Sequence, residues 1–277
     1  MPAERTTDTS RRSPGEARSL SPAPILAGRD RLLVSICIAL TIALAWVYLV
    51  RLAHQMAPAM AYSAAMAAMG MPMDAPWTPV DVLLTFFMWV VMMVGMMAGA
   101  AAPVLLLFAS ARARHGERGV SLAVLMFGLG YLTVWVGFSA CAALAQWGLH
   151  QTTMLSSAMA ASSPRLAGTI LVAAGAYQLT PLKRACLAHC RSPLGFLMTT
   201  WRDGKLGAMQ MGVHHGVYCL GCCWALMCLL FVVGVMNLGW VIALTGFVLL
   251  EKVGPAGVLV SRLAGAAMIG AGILTVI

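Results

Sequence analysis

The chain has 277 residues, of which 61% are hydrophobic and only 10% charged, with a formal net charge of +9 and a mean hydropathy of +0.86. A charged fraction so far below the roughly 25% of soluble domains excludes a soluble globular fold and makes the apolar segments the architecture. The basic residues fall in short clusters between apolar runs, not on one patch, which excludes a nucleic-acid surface and reads as loops on the cytoplasmic side of a membrane.

Residues 1–29 are rich in Ser, Pro, Arg and Glu and predict a disordered cytoplasmic tail. Residues 30–277 predict a single transmembrane helical domain. Its first apolar run, 32–52, follows Arg29 and Arg31 and outlasts a signal-peptide core, so it predicts an uncleaved anchor. The next stretch, "HQMAPAMAYSAAMAAMGMPMDAPW", has no Lys or Arg and carries Met56, Met60, Met66, Met69, Met71 and Met73; it predicts a periplasmic segment. A second run at 82–109 ends at Arg112, Arg114 and Arg118, and Asp81 at its start is a helix-initiating acid. A third run covers 120–149 and a fourth 166–182. The loop after the fourth holds Lys183, Arg184, Arg191, Arg202 and Lys205. A fifth run covers 206–235, a sixth follows Asn237, read as its cap, and ends near Glu251, and a seventh begins near Val258. Backbone groups in lipid must pair internally, so each run is a helix. The fold class is all-α, a polytopic transmembrane helix bundle of seven spans in the bacterial inner membrane with a cytoplasmic N-terminus. The count is six if the short sixth run does not cross. Glu251 and Lys252 read as structural anchors, paired with each other or with a neighbouring loop.

The fifth run contains "HHGVYCLGCCW", two histidines and three cysteines in eleven residues. At about 100° per residue, Met211, His215, Cys219, Cys222 and Cys223 fall within an arc of roughly 120°. His214 and Cys228 point elsewhere. A lone cysteine such as Cys37, Cys141 or Cys228 reads as a small hydrophobe, but five candidate ligands on one stripe are a metal-site pattern, and an intramembrane histidine needs a partner. Glycines at 207, 212, 216 and 221 let another helix come close.

Two further groups carry soft donors. In "FFMWVVMMVGMMAGAAAP", Met88, Met92 and Met96 repeat on one face with Met93 and Met97 beside them. Thioethers are neutral soft ligands suited to copper(I); joined to thiolate and imidazole they favour copper or zinc over hard cations. In "CLAHC", a helix would put Cys186, His189 and Cys190 on one face, three donors of a tetrahedral site. The C-x-x-C formed by Cys219 and Cys222 is also a thiol-disulfide exchange spacing.

Taken together, "MWVVMMVGMM", "YQLTPLKRACLAHCRSPLGF", "GVHHGVYCLGCCWALM", "GVMNLGW" and "LLEK" resemble the bacterial family of predicted metal-binding integral membrane proteins, from about residue 80 to the C-terminus. The resemblance implies a metal association for Met92, Met96, Met97, Cys186, His189, Cys190, His215, Cys219, Cys222 and Cys223. Where the family pattern has a proline after the paired methionines, this chain has Gly99.

The leading expectation is an inner-membrane protein that binds copper(I) or another soft transition metal, zinc included, for transport, delivery or homeostasis. Its partners would be the lipid bilayer and a metal chaperone or metalloenzyme. No phosphate-binding loop is present, which argues against ATP-driven pumping by this chain alone. Two enzyme readings stand beside it: a membrane thiol-disulfide oxidoreductase using Cys219 and Cys222, and a metal-dependent membrane oxidase or its assembly factor.

Overall fold

The computed structural model describes residues 28–71, 77–114, 119–152 and 160–277, and these form helices and turns with no strand among them. The expected tail up to residue 27, Met73 and Arg118 lie outside the described residues. The helices are α1 (Gly28–Ala68), α2 (Pro79–Arg114), α3 (Val120–Gln151), α4 (Pro164–Leu179), α5 (Pro181–Arg191), α6 (Pro193–Thr200), α7 (Gly204–Cys228), α8 (Leu230–Val233), α9 (Leu238–Val253) and α10 (Gly257–Val276).

Two expectations change in detail. The first run and much of the methionine-rich stretch are one helix: α1 has 41 residues, about 60 Å at 1.5 Å per residue, and Met56, Met60 and Met66 lie on it. Beside the six or seven crossings expected, five helical stretches among the described residues are long and apolar enough to cross a membrane: Arg31–Met66, Pro79–Arg114, Val120–Gln151, Gly204–Val233 and Gly257–Val276. The fourth and sixth runs form α4 and α9, each of 16 residues. That is about 24 Å against a hydrocarbon core of about 30 Å.

α2 runs through the interior, with α1, α3 and α9 packed on it, while α7 lies against α3 and α5 and α4 pairs with α10. The start of α2 is fixed by Asp81, whose carboxylate accepts from the Thr78 backbone N–H at 2.8 Å and hydroxyl at 2.7 Å. At its other end Arg112 is buried, contrary to a loop placement: its guanidinium lies over the Phe108 and Trp201 rings at 5.2 and 4.8 Å and donates to the Arg202 carbonyl at 2.5 Å. Asn237 takes the N-cap position of α9 but makes no side-chain cap hydrogen bond.

The α3–α7 contact explains one of the glycines in the fifth run. A Cβ at Gly212 would overlap the Phe127 carbonyl of α3, so only glycine allows this backbone approach. Gly212→Ala is expected to cost about 1–3 kcal/mol by overpacking. Gly137→Ala on the open face of α3, where a Cβ meets nothing, is the control that keeps its stability. Thermal unfolding of the detergent-solubilised protein reads both.

Candidate functional site

The stripe predicted on the fifth run is buried: Met211, His215, Cys219, Cys222 and Cys223 all lie inside the bundle, while His214 is exposed and Cys228 half-buried. The stripe divides into two compartments. Met211 packs with Val104, Phe108 and Phe127. The His215 ring meets Phe196 at 5.2 Å and stacks on Tyr131 at 5.8 Å, and its buried Nδ1 has no hydrogen-bond partner among the described residues. One turn further along α7 the three thiols join a core that contains Met88, Met92, Met93, Met96, Met97 and Met227.

Sulfur meets sulfur twice in that core. Cys222 Sγ on α7 stands 3.8 Å from Cys190 Sγ on α5, and Cys223 Sγ stands 4.0 Å from Met97 Sδ on α2. Both α7 thiols also donate back to the Cys219 carbonyl, Cys222 at 3.1 Å and Cys223 at 2.9 Å, a local bond that the helical i, i+3 and i, i+4 spacings allow. Cys219 itself turns to a different shell. Its Sγ accepts from the Lys252 ammonium at 2.9 Å and lies 3.0 Å from the Tyr131 hydroxyl, which donates to the Met97 carbonyl at 3.3 Å.

The "CLAHC" helix is α5, as its spacing predicts, and it lies along α7. Cys186 sits against Gly221, where a Cβ would come within 2.7 Å of its Sγ. It opens on a surface cleft of about 500 Å³ walled by Phe138, Tyr177, Leu182, Val217, Leu220 and Trp224. His189 stacks on Tyr218 of α7 at 4.2 Å and 6°, its Nδ1 2.9 Å from the Ala185 carbonyl. Cys186, His189 and Cys190 thus spread along α7 and do not close on one point. Hydrogen bonding to Cys222, then burial, pushes the Cys190 thiol up; burial, then the nearby Cys222, pushes Cys186 up. Both rest protonated at neutral pH, so a metal that takes them must expel protons.

Buried charges brace this arrangement. The Lys183 ammonium on α5 donates to both Glu251 carboxylate oxygens on α9 at 2.9 Å, with the two side chains 1% and 2% exposed. Arg191 of α5 donates to the Glu251 backbone carbonyl at 2.5 Å, covering the end of α9. Glu251 and Lys252 therefore do not pair with each other. They face opposite partners, one α5 and one α7.

Among the described residues no group of three or more His, Cys, Asp or Glu side chains gathers as a closed metal site would require. The donors come instead as thiol–thiol and thiol–thioether pairs. Nor do Cys219 and Cys222 face each other as a redox couple: the Cys222 thiol is directed to Cys190 and to the Cys219 carbonyl, and Cys219 to Lys252 and Tyr131. Tyr131 and Lys252 are parts of the site that sequence reasoning did not find. Tyr131 carries no spacing signal on α3. Lys252 carried one, as a cation at the end of an apolar run, where an unpaired charge is costly.

Comparison with protein-family models matches residues 86–275 to PpoB2, described as copper chaperone. Comparison with curated proteins and with solved structures gives no match.

Proposed function

The chain belongs to the PpoB2 copper chaperone family, and from that premise we propose that it takes copper(I) onto the buried sulfurs of Cys190, Cys222, Cys223 and Met97 and hands the ion on unchanged. The observation that carries this reading is the pairing of sulfurs from three helices at 3.8 and 4.0 Å. At a metal–sulfur distance of about 2.3 Å, two sulfurs on one ion stand roughly 3.8–4.6 Å apart from tetrahedral to linear geometry. Both pairs fall in that window. Paired thiol and thioether donors suit a soft monovalent ion that must leave again; a tetrahedral zinc site, which needs four closed ligands, draws no support from this donor set.

The remaining soft donors extend the pairs into a route. Met88, Met92, Met93 and Met96 precede Met97 on α2 and are buried with it, which provides thioethers on one side of the pairs. Cys186, at the surface cleft, and His189 provide the other end. Met211 and His215 form a side station behind Tyr131, where the unpartnered Nδ1 is the free donor. The setting favoured by the loop charges is the bacterial inner membrane with the N-terminus on the cytoplasmic side, and the receiving partner is a metallochaperone or metalloenzyme that itself presents soft ligands.

The test is anaerobic titration of the reduced, detergent-solubilised protein with copper(I), beside a variant with Cys219, Cys222 and Cys223 all changed to Ser. Stoichiometric binding by the wild type that disappears in the variant is the expected result. Absence of copper in both overturns the reading.

A further inference from the structure

We propose that Cys190 and Cys222 are an oxidation site: a disulfide formed between them staples α5 to α7 and withdraws both sulfurs from metal binding at once. The copper consequence rests on the reading above; the disulfide itself does not. The geometry selects this pair over the alternatives. Cys190 Sγ and Cys222 Sγ are 3.8 Å apart, so closing to the roughly 2.05 Å of a disulfide needs a sulfur displacement of under about 2 Å, within the reach of side-chain rotation. They lie on different helices. Cys219, Cys222 and Cys223 share α7, where two of the thiols are bonded back to the Cys219 carbonyl and the third is held by Lys252 and Tyr131.

Access favours the same pair. Cys190 is half-buried and Cys222 fully buried, so an oxidant meets Cys190 first and Cys222 is the resolving thiol. The oxidant class is a peroxide. The Cys190 thiol gives up its proton as its sulfur attacks one peroxide oxygen, the O–O bond breaks, and the departing hydroxide takes that proton and leaves as water, giving a sulfenic acid. The Cys222 sulfur then attacks the sulfenic sulfur, an S–S bond forms, the S–O bond breaks, and a second water leaves. Two thiols have lost two protons and two electrons, and the peroxide has gained them. Copper(I) bound to the two sulfurs blocks the first attack.

The experiment treats the metal-free, reduced full chain in detergent with hydrogen peroxide, traps remaining thiols with an alkylating reagent, and maps cross-linked peptides by mass spectrometry. The expected result is a Cys190–Cys222 cross-link reversed by a reductant. It is slowed at least about tenfold by prior loading with copper(I) and absent in Cys190→Ser. A dominant Cys219–Cys222 link, or oxidation to sulfinic acid with no cross-link, overturns the proposal. If the Cys190–Cys222 link forms and the reduced protein takes up no copper(I), the oxidation site stands and the copper reading falls. If copper(I) binds and no link forms, the reverse holds.

Discussion

Lys183→Met is expected to lower the protein's folding stability by on the order of 3–5 kcal/mol. The variant leaves the Glu251 carboxylate buried with its ammonium gone, since Lys183 and Glu251 are 1% and 2% exposed and bonded through both carboxylate oxygens. Without that ammonium the buried carboxylate has lost its hydration and keeps only the weaker support of the Ser261 hydroxyl. The double variant Lys183→Met, Glu251→Leu removes both charges and is expected to recover a large part of the loss, because the penalty lies in the unpaired charge and not in the absence of the bridge. Thermal unfolding and monodispersity on size exclusion, for the two single variants and the double, check this. A single variant as stable as the wild type would show that the pair is not held dry.

Cys222→Ser is expected to weaken copper(I) binding by at least about 100-fold, in competition with a chromophoric copper(I) chelator. Loss of a group that only supports a ligand costs about 10–100-fold in metal affinity, so loss of a soft donor itself should exceed that. Cys222 faces Cys190 across helices. Cys223→Ser, which leaves that pair whole and removes only the partner of Met97, is expected to cost about tenfold. Cys228→Ser, on the side of α7 away from the cluster, should change nothing. Equal losses for Cys222→Ser and Cys228→Ser would mean that the variants act on folding and not on the ion.

The helical class, the buried stripe of α7 and the outward turn of His214 were legible because they depend on periodicity alone: apolar composition sets the medium, and 3.6 residues per turn sets the face. The α5 helix was legible for the same reason. Periodicity also has a limit, visible at His215. It shares an arc with Cys219, yet one helical turn separates them, and that turn places the imidazole among Phe127, Tyr131 and Phe196. Spacing along one helix does not say what the facing helices bring. Nothing in the sequence of α3 announced that Tyr131 would stand between imidazole and thiol, and nothing in "LLEK" said that neighbouring opposite charges would turn apart. Apolar runs alone did not fix the number of crossings: α4 and α9, both read as spans, are helices of 16 residues that end at turns near Thr180 and Gly254.

The last turn of α9 has a mechanical consequence. It is tied to α5 through Lys183 on the Glu251 side chain and Arg191 on its carbonyl, and to α7 through Lys252 on Cys219. That turn works as a gauge block between two sulfur-bearing helices. On the copper reading proposed above, the approach of α5 to α7 beside Cys190 and Cys222 is thus held by charges outside the ligand set, before any ion arrives. A site braced in this way would spend little binding energy on drawing its helices together.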